Sequence, residues 1–179
     1  MTVVRTMTAD GLDALIEADT TRAWPRTARR FWRGCLSAQT EGAMTVATAY
    51  VDETVVGFGY LDRTSQNARF RAAGIPEIKD LHVAELYRRQ GVATAIVAFL
   101  EDTARAGGSR RVGLGVGLNS DYGSAQRLYA RLGYAPDGFG VTWRNRPVRP
   151  RAFVRLNDDL LLWLVKDLEA KPPAEADSR

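Results

Sequence analysis

Arg88-Arg89-Gln90-Gly91-Val92-Ala93 follows the apolar run Leu81-His82-Val83 and opens a stretch with helical apolar spacing. Two fixed positive charges and a glycine at a helix start make a site for a polyanion. Glycine lets a ligand approach the backbone, the unpaired N–H groups point at it, and the aligned peptide dipoles favour negative charge. The chemistry expected here is the grip of a phosphorylated ligand. Other phosphate-binding patterns are missing: no Gly-x-Gly precedes Gly91, as a dinucleotide fingerprint requires, and no Gly-x-x-x-x-Gly-Lys-Ser/Thr occurs. Gly113, Gly115 and Gly117 fall in a strand-like pattern and read as close packing or a local bulge.

The elements that must position this turn are legible around it. Residues 75–83 read as a strand, with Pro76 tolerable near its start. From Val92, the residues Ala93, Ile96, Val97, Leu100 and Ala104 line one helical face, and Gly107-Gly108 stop it. Residues 111–118 alternate as a further strand, so 75–118 form a βαβ unit, expected to be right-handed. Upstream, residues 3–7 read as a strand, Asp10 as a cap for a helix bearing Leu12, Leu15 and Ile16, and 27–38 as a second helix. Residues 44–50 and 54–61 read as strands joined at 51–53, and the polar, basic 64–74 as a loop. Downstream, Ser124 is the expected cap of a helix running to Leu132, and strands at 138–144 and 159–166 flank an Arg- and Pro-rich segment. The expected fold is α/β: a single mixed, mostly antiparallel twisted sheet flanked by helices. Residues 1–169 form one domain and 170–179 a disordered tail.

Composition narrows the class. A chain of 179 residues with 45% apolar and 26% charged residues suits one soluble globular domain. No run is long enough to cross a bilayer, and no secretory signal is expected at the N-terminus. With Cys35 the only cysteine and His82 the only histidine, neither a disulfide nor a metal site is expected, and the natural location is cytoplasmic. The net charge of +4 is modest and no recognition motif supports nucleic-acid binding. Exposed strand edges and the strand at 160–165 make a homodimer a reasonable partner arrangement.

The turn at 88–93 resembles the Arg/Gln-x-x-Gly-x-Gly/Ala segment by which the GCN5-related N-acetyltransferase (GNAT) family binds the pyrophosphate of acetyl-coenzyme A, with Ala93 where many members have glycine. Ile78-Lys79-Asp80-Leu81-His82-Val83 resembles the family's splayed fourth strand, and Ala125 to Tyr134 its second signature, Ala-x-x-Leu-Tyr-x-x-x-Gly-Phe/Tyr. The resemblance implies the acyl-CoA N-acyltransferase fold and acetyl-CoA as co-substrate, with no metal. It implies cofactor contacts from Leu81, His82, Val83, Arg88, Arg89, Gln90, Gly91, Val92, Ala93, Ala125 and Tyr129. Members often carry an asparagine seven residues before the motif tyrosine; Tyr122 stands there, and Asn119 three residues earlier, so both are cofactor-contact candidates. Lys79 falls where many members have glutamate.

Acetyl transfer to an amine needs an unprotonated nucleophile, help for a developing oxyanion, and a proton for the departing thiolate. A backbone N–H at Val83 or a neighbour can polarise the thioester carbonyl. By the family resemblance Tyr129 is the candidate general acid, against a core tyrosine with a structural hydrogen bond. Glu77 and Asp80 are candidate bases, and a transfer with no dedicated base is the other reading; strand alternation puts Glu77 with Lys79 and Asp80 with Ile78. His82 reads as packing at the strand edge rather than as a base. The acceptor pocket draws on Trp24, Phe31, Trp32, Tyr60, Trp143 and Phe153, and Asp19, Glu41, Asp62 and Asp137 are acids that can attract an amine. A small-molecule primary amine is the expected acceptor. The alternatives are a CoA-binding sensor without turnover, or a protein or peptide N-acetyltransferase.

Overall fold

The computed structural model describes residues 1–19 and 25–168. Trp24 and the tail at 170–179 therefore lie outside the described residues. The chain runs β1 (Val3–Thr6), α1 (Leu12–Ala18), α2 (Pro25–Thr40), β2 (Met44–Val51), β3 (Thr54–Asp62), α3 (Ala68–Ala73) and β4 (Glu77–Val83). It continues through α4 (Val92–Ala106), β5 (Arg111–Gly117), α5 (Gly123–Arg131), β6 (Ala135–Trp143), β7 (Arg146–Pro147) and β8 (Leu160–Asp167). The strands form one sheet in the order β1-β2-β3-β4-β5-β8-β6-β7. Among the described residues β4 and β5 pair in parallel and the other neighbours antiparallel, the mixed sheet expected.

Local chemistry explains most of these elements. β2 and β3 join through Asp52 and Glu53, both at positive φ (47° and 60°), the twist that a two-residue hairpin turn demands. α4 buries Val92, Ile96, Val97, Leu100 and Ala104 against β2, β3, β4 and β5 on one face of the sheet. On the other face α1 and α2 cover β2 and β3 with Leu15, Trp32 and Cys35 over Val46, Phe58 and Tyr60. A third cluster joins Phe70 of α3 to Ile75 and Trp163.

Four local expectations are corrected. Residues 64–74 are not all loop: Asn67 Oδ1 accepts from the Arg69 and Phe70 N–H groups and Gly74 takes the left-handed region, bracketing the short α3. Asp10 does not cap α1, whose N-cap is Gly11, and Ser124 lies inside α5, whose N-cap is Tyr122. The segment after Trp143 contains β7, turned back onto β6 through Arg144 and Asn145 at positive φ.

The β5 glycines are sites of close packing. A Cβ on Gly113 would sit 2.2 Å from Phe70 Cε2, and one on Gly117 would sit 2.4 Å from Tyr122 Cδ2. Aromatic rings from α3 and from the N-cap of α5 thus lie directly on the strand.

Candidate active site

The parallel pair β4/β5 meets at Glu77↔Gly113 and has no further register partner. Beyond that point the strands part, and a cleft of about 970 Å³ opens between them. Its walls are β4 from Glu77 to Val83, the turn into α4, Gly115 and Val116 of β5, and the cleft-facing side of α5.

Main-chain groups line the gap. The Ala84 N–H donates to Val56 O (2.9 Å) on the β3 side. Alternation then turns His82 toward β3 too and leaves the N–H and C=O of Leu81 and Val83 facing the gap. From that side Val83 O accepts from Arg88 Nε at 3.1 Å. Arg89 (φ 62°) and Gly91 (φ 85°) both take the left-handed region, curling the backbone into a turn of the kind that suits an anion. Gly91 is the N-cap of α4 with no side-chain cap, and the first helical bond runs from Ala95 N–H to Gly91 O at 2.9 Å. The N–H groups of Val92, Ala93 and Thr94 are thus the helix's orphan donors, at the positive end of its dipole. No atom lies within 4 Å of where a Gly91 Cβ would stand. Arginines, orphan donors and open space suit the phosphates of a coenzyme A.

Lower in the cleft stand the titratable groups. Glu77 is 5% exposed, and its Oε2 accepts from Ser65 Oγ at 2.5 Å. Burial pushes its carboxyl pKa up, while the Ser65 hydrogen bond and the Lys79 charge pull it back. Lys79 Nζ lies 3.6 Å from Asp62 Oδ2 and 6.0 Å from the Tyr60 ring centroid. Asp80 takes φ 50° in a bulge where β4 shifts register opposite Gly59. The bulge breaks the alternation, so Lys79 and His82 share a face, and the His82 ring stacks on Phe58 at 5.1 Å. Tyr129 is 7% exposed, with its ring edge-on to Tyr134 at 5.8 Å. Burial, then the neighbouring Tyr122, push its phenol up to about 12. Its hydroxyl has no hydrogen-bond partner among the described residues.

The cleft brings together Glu77, Asp80, Leu81, His82, Val83, Arg88, Arg89, Gly91, Val92, Ala93, Tyr122, Ala125 and Tyr129. It does not bring in Gln90, whose Nε2 donates to Leu86 O, or Asn119, whose side chain caps the 3₁₀ turn Ser120–Tyr122. Asp121, Arg131, Asp158 and Leu161 also line it and were not foreseen. Asp158 arrives because β8 runs antiparallel to β5, placing its beginning beside the end of β5 where the gap is widest.

The model of the acetyltransferase (GNAT) family matches residues 9–134. The chain belongs to the GNAT acetyltransferase family. No curated protein matches the sequence. Among solved structures, a GNAT-family protein from Desulfovibrio desulfuricans is similar at TM-score 0.70 and 14% identity, covering 94% of this chain and 100% of its own. PaiA N-acetyltransferase from Thermoplasma acidophilum, in complex with coenzyme A, is similar at TM-score 0.65 and 12% identity (93% and 99% covered). An aminoglycoside 6′-N-acetyltransferase complexed with coenzyme A is similar at TM-score 0.65 and 15% identity (95% and 99% covered). At these identities the likeness shows the shared GNAT fold.

The other expected acceptor residues are mostly committed elsewhere in this GNAT chain. Trp32 is fully buried, and its Nε1 donates to Asp19 Oδ2 at 2.7 Å. Phe31 and Tyr60 pack with it beneath α2. Glu41 and Asp137 accept from Ser37 Oγ and the Phe139 N–H. Trp143 and Phe153 border a separate hollow of about 410 Å³.

Proposed function

We propose that this GNAT protein is an acetyl-CoA-dependent N-acetyltransferase that moves the acetyl group to a primary amine of a small molecule. Transfer is by direct attack in a ternary complex, with Tyr129 as general acid. The observation that carries the reading is the parting of β4 from β5 after Glu77↔Gly113, with the α4 N-terminus at one end and Tyr129 in the wall. Arg88, Arg89 and the first amides of α4 hold the pyrophosphate, and the gap-facing groups of Leu81 and Val83 hold the pantetheine arm. Acetyl-CoA supplies an activated acyl group. The Val83 N–H faces the gap and polarises the carbonyl oxygen where negative charge develops. Glu77 accepts the proton of the attacking ammonium, directly or through water. Its raised pKa makes it a stronger base than an ordinary carboxylate, and burial keeps it at the wall, whereas Asp80 lies at the exposed rim.

The alternative of a sensor without turnover leaves the Tyr129 hydroxyl without a purpose. A binder needs no hydroxyl at the thiol, and the Tyr129 side chain lines the cleft wall. A cytoplasmic location and a homodimer paired through edge strand β1 or β7 complete the proposal; light scattering tests the latter. Thiol release from acetyl-CoA over a panel of primary amines, alongside calorimetry with acetyl-CoA, tests the activity. Binding heat with amine-dependent thiol release is expected. Binding without release from any amine would leave only the sensor, and neither signal would end the proposal.

A further inference from the structure

Glu77 is tied to a part of the chain that carries no motif. The link between β3 and α3 brings the fully buried Ser65 against it, and Ser65 Oγ donates to Glu77 Oε2 at 2.5 Å. The same Oγ accepts from the Asn67 N–H at 3.0 Å, and Ser65 O accepts from Arg71 Nη1 at 2.9 Å. A serine hydroxyl has one proton to give. With an N–H already directed at the oxygen, that proton is left for the carboxylate, and the relay runs from the Asn67 N–H through Ser65 to Glu77.

α3 fixes the relay in place. Asn67 Oδ1 caps the helix, and Phe70 presses on Gly113, the β5 partner of Glu77 in the register pair before the gap. The α3 segment thus holds both members of that pair, Gly113 under an aromatic ring and Glu77 by a hydroxyl. Among the groups around Glu77, burial disfavours the ionised carboxyl most; the Ser65 hydrogen bond and then Lys79 favour it, and Asp62 on β3 and Asp80 on β4 disfavour it. The Tyr60 phenol of β3 is also within electrostatic reach. Lys79 Nζ already faces Asp62 Oδ2 at 3.6 Å, so its charge is shared.

We propose that Ser65 is a positioning residue for the transfer: its hydroxyl ties one oxygen of the Glu77 carboxylate to the wall and keeps the group a proton acceptor for the attacking ammonium. This rests on the reading of Glu77 as the base. The hydroxyl acts through Glu77 and touches neither substrate.

The test uses the full chain as Ser65→Ala, Ser65→Cys (a near-isostere with a weaker donor), Glu77→Gln and the Ser65→Ala/Glu77→Gln double variant. Infrared difference titration reads the carboxyl band that Glu77→Gln lacks, thiol release reads the acidic limb of kcat/KM, and thermal melts report folding. Loss of a hydrogen bond to a charged group should raise the carboxyl midpoint by about one pH unit or more, and one unit on the acidic limb is about tenfold in rate. Midpoint and limb should move together, with cysteine between serine and alanine. Ser65→Ala should add no further loss of kcat/KM to Glu77→Gln. An unmoved midpoint in folded Ser65→Ala, or losses that multiply in the double variant, overturns the positioning role and leaves Glu77 as base. A Glu77→Gln enzyme as fast as wild type removes the base and this inference with it, while acetyl transfer stands. Where alanine prevents folding, the cysteine variant carries the same comparison; if neither folds, Ser65 serves structure and the proposal falls. Thiol release from no amine overturns both readings.

Discussion

Replacing Tyr129 by phenylalanine removes one oxygen and keeps the ring that stands edge-on to Tyr134. Because the hydroxyl has no hydrogen-bond partner among the described residues, folding stability should move by no more than about 1 kcal/mol. Acetyl-CoA affinity should hold, since the phosphates and main-chain contacts lie elsewhere. The effect belongs in kcat. A positioned general acid contributes about 10²–10⁴-fold. Burial pushes the Tyr129 phenol up to about 12, whereas a thiol like that of cysteine has a pKa of about 8.5. Full transfer of the proton to the thiolate is therefore uphill by roughly 3.5 units, or about 5 kcal/mol. The hydroxyl then acts chiefly by hydrogen-bonding the charge that grows on sulfur, which places the loss at the lower end, about 10²-fold, or about 2.7 kcal/mol of barrier.

The assay is thiol release at saturating acetyl-CoA and amine, repeated from neutral to alkaline pH. The sign of the shift matters: a phenol raised by burial keeps its proton beyond pH 10, so the wild-type rate should show no alkaline fall from Tyr129 below about pH 11. A Tyr129→Phe enzyme with unchanged kcat would refute the role of the hydroxyl. A collapse of the thermal midpoint along with kcat would show that the hydroxyl is structural after all.

Gly91→Val puts a β-branched residue at φ 85°, costing roughly 1–3 kcal/mol of backbone strain, and sets a methyl group over the anion turn. Calorimetry should show acetyl-CoA affinity lowered about tenfold or more, and unchanged affinity would remove the phosphate site from that turn. Glu77→Gln should slow transfer and abolish the acidic limb of the kcat/KM profile. Because burial raises this carboxyl in the folded state, its contribution to stability is complete below the unfolded pKa and is lost as pH rises through the folded value. The glutamine variant should thus melt no lower than wild type at neutral pH; a lower midpoint there would contradict the desolvation. Gly113→Ala places a Cβ 2.2 Å from Phe70 Cε2 and should destabilise by about 1–3 kcal/mol, with Phe70→Leu restoring part of the loss in the double variant. Additive destabilisation of the two in thermal melts would count against that contact.

What the sequence made legible is what short-range physics determines. The α4 stripe from Val92 to Ala104, the placing of Gly91 at the start of α4 and the β2–β3 hairpin each depend on a few adjacent residues, and each stands where expected. α3 escaped because a six-residue helix with one buried apolar side chain carries no period; the Asn67 cap and Gly74 stop were its remaining signals. Asp10 and Ser124 were plausible caps by residue type, but the positions that begin α1 and α5 are set by how Thr8 Oγ1 and the 3₁₀ turn before Gly123 hold the chain. Alternation along β4 failed at Asp80, where the bulge inserts an extra residue opposite Gly59. Asp158 was invisible for a topological reason: no local pattern says that the last long strand slots between β5 and β6 and delivers the preceding loop to the cleft.

The site owes its existence to strand pairing that stops early. Parallel neighbours normally continue their ladder, yet β4 and β5 keep a single register pair, while β4 pairs with β3 and β5 with β8 along their other edges. Phe70 pressed on Gly113 and Tyr122 pressed on Gly117 fill the space beside β5 that side chains on it would need. The gap-facing amides of Leu81 and Val83 are consequently left without a strand, and polar main-chain groups in such a place demand a partner. The extended, amide-bearing arm of the proposed co-substrate would satisfy them as a missing strand would. In the proposed binding mode the phosphates lie toward Arg88 and Arg89 and the thioester toward Glu77, so that one opening in the sheet would serve binding, direction and attack together.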